Sequence, residues 1–151
     1  MKIYSLAILL GGLAPLVGAG SELINAKLLS PVIDNAGIDG CSWGASSDHV
    51  GEGSFFLAEY DLSRVRMNID GQDTELKMVS SHGHLKQLGS VLTATFRSKR
   101  GAVVYGTFRA TWLCPEEGTD ESCEVTKYNA SFEATTGKRR QVVHAKGDVG
   151  C

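Results

Sequence analysis

The stretch 65–78, which reads VRMNIDGQDTELKM, decides the fold, because it contains two strand patterns joined by a tight turn. Val65, Met67 and Ile69 alternate with polar residues, which is the pattern of a strand with one buried face. Asp70-Gly71 follows, and an Asp-Gly pair between alternating runs is a strong hairpin signal. The alternation resumes in the ELKM segment that follows. The stretch therefore predicts an antiparallel β-hairpin.

The same alternation extends over the rest of the chain and predicts about seven strands in all. They lie near 54–60, 64–69, 74–80, 90–97, 102–113, 124–135 and 139–146. Short connections between successive strands favour an antiparallel meander. Strands left at an open edge invite aggregation, so we expect closure into a small barrel or a two-layer sandwich. The predicted fold class is all-β.

The N-terminal residues are typical of a secretory signal peptide. A single early base, Lys2, precedes an apolar run, and small residues end the segment at Ala19. We predict a signal peptide at 1–19, an irregular segment at 20–50 and one β domain at 51–151. No second apolar run is long enough to span a membrane, so we expect an exported protein, periplasmic or extracellular, with no membrane span.

The four cysteines indicate disulfides, because export leads to an oxidising compartment and the number is even. Three pairings are possible. We favour Cys114–Cys123, which closes a short loop, together with Cys41–Cys151, which ties the end of the chain to the start of the domain. A metal site or a catalytic thiol is a weaker alternative, because no pair has C-x-x-C spacing.

Signals of catalysis are incomplete. Gly40–Gly44 reads G-C-S-W-G and matches G-x-S-x-G, but the strand and helix that present a nucleophilic serine are not predicted around Ser42. His82 and His84 flank a glycine and supply at most half of a metal site. Asn129 begins an N-A-S glycosylation sequon inside a predicted strand. We expect no enzyme activity, no cofactor and no resident metal.

Charge argues against nucleic acid as a partner, since the formal net charge is −2 and phosphate binding needs a basic surface. The segment 116–124 carries five carboxylates and no base. Basic residues cluster instead at 97–100 and at 138–140. Successive turns of a meander alternate between its two ends, so the acidic and basic segments are expected at opposite ends.

Residues 65–99 resemble the membrane-bound and periplasmic C-type lysozyme inhibitors. The shared pattern is V-x-M-x-I-D-G at 65–71, E-L at 75–76 and V-S-S-H-G at 79–83. The segment F-R-S-K at 96–99 is a further, fainter similarity. The resemblance implies a small exported antiparallel β-barrel with a disulfide. It also implies that Ser80 enters the lysozyme cleft and that Lys99 is the partner base.

The prediction for function is an exported, non-enzymatic binding protein, and the resemblance adds inhibition of a secreted hydrolase such as lysozyme. We expect a protein partner at the polar loop 81–89, with contacts from Ser80, Ser81, His82, His84 and Lys99. The alternative is a carrier that holds a small ligand in the barrel interior or a metal at the His82/His84 loop. The barrel interior distinguishes the carrier from the binding protein, because a carrier needs a cavity of roughly several hundred Å³. A binding protein would fill that space with large side chains, for which the candidates are Phe96, Phe108, Trp112 and Phe132.

Overall fold

The computed structural model describes residues 27–38, 40–115 and 124–151, and throughout these ranges the regular structure is β-strand. The strands are β1 (Leu29–Ser30), β2 (Ser42–Ser47), β3 (Gly51–Glu59), β4 (Val65–Ile69), β5 (Gln72–Gly83), β6 (Val91–Ser98), β7 (Val103–Trp112), β8 (Thr126–Thr136) and β9 (Arg139–Gly150). No helix in the described ranges is long and apolar enough to cross a membrane.

The strands form an eight-stranded up-and-down barrel. Each strand from β2 to β9 pairs antiparallel with the next, and β9 pairs back with β2 to close the ring. The all-β antiparallel prediction is confirmed, and of its two forms the barrel is the one observed. The predicted hairpin is present, with Ile69 opposite Gln72. Asp70 and Gly71 both have positive φ, as the tight two-residue turn requires.

The closing strand β2 lies in the segment predicted to be irregular. Its sequence, SWGASS, carries little apolar alternation, yet Trp43, Ala45 and Ser47 point inward and are buried. Small residues gave no strand signal, and the pairing of β2 with both β3 and β9 imposes the strand conformation. The barrel therefore begins at Ser42, ahead of the expected domain boundary at 51.

A disulfide lies at the seam of the barrel, which is the place where β2 pairs with β9. Ser42 pairs with Gly150 at the end of this ladder, and the Cys41–Cys151 bridge lies immediately beyond. This predicted bridge is confirmed. Cys114 is also disulfide-bonded, but the predicted pairing with Cys123 lies outside the described residues.

Aromatic side chains fill the barrel. A bulge in the β2–β3 ladder places Phe55 and Phe56 consecutively in the interior, and both are fully buried. The inner rings contact one another with centroids 4.8 to 5.8 Å apart. They belong to Trp43, Phe55, Phe56, Phe96, Phe108, Tyr128 and Phe132.

Three of the four large residues expected inside are buried, and the expectation for Trp112 is wrong. Its side chain is 41% exposed. The pairing between β7 and β8 shifts between Ala110 and Trp112, which removes the tryptophan from the inward alternation. Its ring instead lies under the ammonium group of Lys127, at 5.6 Å.

The short strand β1 closes one end of the barrel. Leu28 and Leu29 are buried there, and their backbone N–H groups both donate to the side-chain oxygen of Gln141. Leu29 also pairs with Ile69 of β4. The segment predicted to be irregular thus contributes a short strand across the barrel mouth.

Candidate partner-binding site

The hairpin of β5 and β6 projects beyond the neighbouring strand. The β4–β5 ladder ends at the pair Val65–Leu76, whereas the β5–β6 ladder continues to Gly83–Leu92. We call residues 77–97 the arm. Its inner side rests on the core, because Met78, Leu85 and Leu92 pack against the buried cluster.

The predicted loop 81–89 is shorter than expected. Ser81 and His82 belong to β5, where they pair with Ala94 and Thr93, so the connection begins only at His84. The segment S-S-H-G has no apolar alternation and reads as a loop by sequence. Its pairing with β6 makes it a strand, so Ser80, Ser81 and His82, three of the predicted contact residues, lie on a strand.

A bulge at Val79 determines which side chains share the outer face of the arm. The ladder passes from Met78–Phe96 to Ser80–Thr95, and it then reaches His82–Thr93. Cross-strand partners lie on one face, and alternate residues of β6 share that face. Ser80 and His82 therefore lie on the outer face, and both are exposed, as are Val79, Ser81 and Gly83.

The tip of the arm is anchored to β7. The Gly89 N–H donates to the Ala110 carbonyl, and the Arg109 guanidinium donates to the Gly89 carbonyl. Gly83 has a φ of +89°, and a Cβ there would lie 2.1 Å from the Val91 carbonyl oxygen. Only glycine fits this close approach, so the tip has a defined conformation.

Lys99 lies apart from the other predicted contact residues. Lys99 follows Ser98, whose partner on β5 is Leu76. Ser80 lies four residues farther along β5 than Leu76. At about 3.3 Å per residue this amounts to roughly 13 Å. The structure therefore brings Ser80 to His84 together on the arm and leaves Lys99 at the β6–β7 turn.

Lys99 lines an open groove on the outer face of β5 and β6, with a volume of about 510 Å³. Three other bases line the same groove, and Lys77 and Arg97 face each other across the strands. The basic run at 97–100 is visible in the sequence, whereas Lys77 joins it only through the strand register. The bases are Lys77, Arg97, Lys99 and Arg100.

The residues considered for metal binding and for nucleophilic chemistry are His82, His84 and Ser42. Within the described residues, no group of three or more His, Cys, Asp or Glu side chains could hold a metal ion. The His84 ring nitrogen Nδ1 accepts a hydrogen bond from the Lys86 N–H at 3.3 Å. Ser42 begins a strand beside the disulfide, and the next described element is also a strand, so the turn that presents a nucleophilic serine is not formed.

His49 and His144 share a second open pocket, of about 470 Å³, with Asp48, Asn129 and Lys146. No sequence pattern indicates this pocket, because the β2–β3 turn and β9 meet only when the barrel closes. Asn129, the sequon residue, is exposed at the middle of β8.

The buried Tyr128 side chain stabilises the fold. The Tyr128 hydroxyl donates to the Gly44 carbonyl at 2.8 Å, and burial, together with the charge of Asp148, raises the pKa of this tyrosine far above its ordinary value. Tyr128 therefore stays neutral and ties β8 to β2.

Comparison of the chain with family models, curated proteins and solved structures returned no match in any of the three.

Proposed function

We propose that the protein is an exported, non-enzymatic binding protein that contacts a protein partner through the outer face of the arm. The observation that carries the proposal is the run 79–83, in which five consecutive strand residues are exposed although the strand is held on both its inner side and its tip. Side chains presented on a rigid scaffold lose little conformational freedom on binding, which favours affinity.

The filled interior favours this function over that of a small-ligand carrier. Phe56, Phe108 and Phe132 meet near the barrel axis, with ring centroids 4.8 to 5.7 Å apart. Such packing leaves the surface as the place for recognition. The disulfide at the barrel seam agrees with an oxidising, extracytoplasmic location.

A secreted hydrolase such as lysozyme is the partner that the resemblance suggests. Ser80 stands on the exposed face of the arm, as a cleft-entering serine must. The roughly 13 Å of strand between Ser80 and Lys99 means that a single partner would meet them at two separate points. His82 stands where the inhibitor family has its second serine, so we propose that the contacts differ in detail.

The test is a triple variant, Ser80→Ala with His82→Ala and His84→Ala. Its matched control is Ser46→Ala with His49→Ala and His144→Ala, which removes the same residue types from exposed positions elsewhere on the barrel. We expect both variants to keep their stability within about 0.5 kcal/mol, because exposed side chains contribute little. Stability is measured by urea unfolding.

The partner is first isolated by pull-down with the mature protein from its native extracellular fluid, and lysozyme is tested directly by the rate of cell-wall lysis. Binding should weaken at least about tenfold in the arm variant and remain unchanged in the control. Equal binding by the arm variant and the native protein would refute the Ser80, His82 and His84 side chains as the contact surface.

A further inference from the structure

The strand β5 has an open edge along the arm. Beyond the pair Val65–Leu76, β5 continues for seven residues, of which all but the bulged Val79 pair with β6 and none pairs with β4. Among the described residues, no backbone hydrogen bond joins the other edge of this segment to another part of the chain. An unpaired strand edge is a template on which another strand can form.

The register identifies the backbone groups that point outward. The His84 N–H donates to the Val91 carbonyl, so His84 and Val91 form a hydrogen-bonded pair. Such pairs alternate along an antiparallel ladder, so His82 also bonds to β6, whereas Ser81 and Gly83 direct their N–H and carbonyl groups away from it. These two residues offer donors and acceptors at the correct spacing for one added strand.

The charge beside this edge is positive. Lys77 lies on β5 directly opposite Arg97, and like charges in this arrangement repel. The three ion pairs of the described residues join Arg64 to Glu59, Arg139 to Asp70 and Arg140 to Glu133, so none neutralises this pair.

Two carboxylates, Asp73 and Glu75, also line the groove. Asp73 already accepts hydrogen bonds from the backbone N–H groups of Ile33 and Asp34. The groove therefore has an excess of unpaired positive charge over available carboxylates.

We propose that an extended acidic segment of the protein partner adds to the open edge of β5 as an extra strand. Its backbone bonds to Ser81 and Gly83, and its carboxylates lie beside Lys77 and Arg97 on the outer face. The inference rests on the proposed function and specifies how the partner binds. A lysine and a bulge on an edge hinder pairing with a neutral strand or with a second copy of this chain, and carboxylates remove that hindrance.

The first experiment uses the protein alone. Amide hydrogen exchange should be fast at Ser81 and Gly83 and slow at His82, because only the His82 N–H is bonded to β6. Slow exchange at both Ser81 and Gly83 would show that the edge is already covered and would overturn the proposal.

The second experiment titrates the isotope-labelled protein with a short capped peptide of alternating threonine and glutamate, followed by amide chemical shifts. The control peptide has lysine in place of glutamate. The acidic peptide should shift the Ser81 and Gly83 amides and slow their exchange, and the basic peptide should not. Equal effects of the two peptides, or shifts elsewhere on the barrel, would refute the acidic strand.

The third experiment compares Ser81→Pro with Ser81→Ala. Proline removes the outward N–H, whereas alanine removes only the hydroxyl, and an edge strand tolerates proline where its N–H faces solvent. Circular dichroism and urea unfolding verify that both variants fold. Binding of the acidic peptide, and of the isolated partner, should fall at least about tenfold in Ser81→Pro and should fall less in Ser81→Ala, which keeps the outward N–H.

The outcomes separate the two proposals. Loss of partner binding in the triple alanine variant but not in Ser81→Pro would retain the protein-binding function and refute strand addition. A dimer of the native protein that dissociates in Ser81→Pro would show that the edge is occupied by a second copy, which also refutes the acidic partner. Lys77→Glu should reverse the preference, so that the lysine peptide binds better than the glutamate peptide.

Discussion

Asp73 shows how one side chain fastens the N-terminal segment to the barrel. Partial burial by itself raises the pKa of this carboxyl, but the N–H groups of Ile33 and Asp34, the Asn68 amide and the charge of Arg66 outweigh it. The net effect is a pKa below the ordinary value of 3.8. The carboxylate therefore stabilises the folded state when it is ionised.

The pH dependence of stability follows from this shift. The contribution of Asp73 is complete above its unfolded pKa near 3.8 and is lost as the pH falls through the lower pKa of the folded state. We expect Asp73→Asn to be less stable than the native protein at about pH 6, with a difference that shrinks below about pH 3.5. Urea unfolding at a series of pH values measures this. A difference that stays constant down to the lowest pH would contradict the ionic role.

Gly147 lies on β9 opposite Ala45 of β2, where the barrel closes. A Cβ at this position would lie 2.1 Å from the Gly44 carbonyl oxygen and 2.7 Å from the Tyr128 ring. We expect Gly147→Ala to cost about 1–3 kcal/mol, because the added methyl group forces the strands apart. Gly44→Ala is the control, since its Cβ would meet Ser54 and Leu57 at ordinary contact distances of 3.9 and 4.0 Å. Equal losses in the two variants, measured by urea unfolding, would rule out this explanation.

At the scale of single elements, the two-residue strand β1 covers one end of the barrel. The Leu29 side chain is fully buried, so Leu29→Ala should cost about 2–5 kcal/mol in the free energy of unfolding. Leu88→Ala is the control, because Leu88 is 71% exposed at the tip of the arm and its truncation should change stability by less than about 0.5 kcal/mol. A small loss at Leu29 would show that the barrel is stable without this strand.

The predictability of the elements follows from their residues. The β4–β5 hairpin was predictable because Val65, Met67 and Ile69 alternate and Asp70-Gly71 suits only a tight turn. The strand β2 was not, because its conformation comes from partners that are distant in sequence. The same reason explains Trp112, whose exposure follows from a register shift that its neighbours in sequence do not reveal.

The candidate site was predictable only in part. The polar run from Ser80 to His84 was identified as exposed from its composition, and the structure places it on the surface. The open edge depends on where β4 begins relative to β5, and Lys77 meets Arg97 only through the β5–β6 register. Such features belong to pairs of strands, so no single stretch of sequence contains them.

At the scale of the whole molecule, the Cys41–Cys151 bridge joins positions separated by 110 residues. Closing a loop of about 100 residues reduces the entropy of the unfolded chain and stabilises the fold by up to about 4.7 kcal/mol. Replacing both cysteines by serine should therefore lower the free energy of unfolding by several kcal/mol, measured in urea against the oxidised native protein. A loss below about 1 kcal/mol would mean that strand pairing alone holds the seam.

The pairing of β2 with β9 has a consequence for the order of folding. The first strand of the barrel must wait for the last, because residues 42–46 find their partners only at 146–150. A growing chain can form hairpins one after another. Its curved sheet nevertheless has two edges without a partner strand until β9 is available. Pairing of two strands so distant in sequence closes a long loop, and the entropy cost of that closure makes it slow compared with hairpin formation. The interval before ring closure is therefore when unpaired strand edges expose this chain to aggregation.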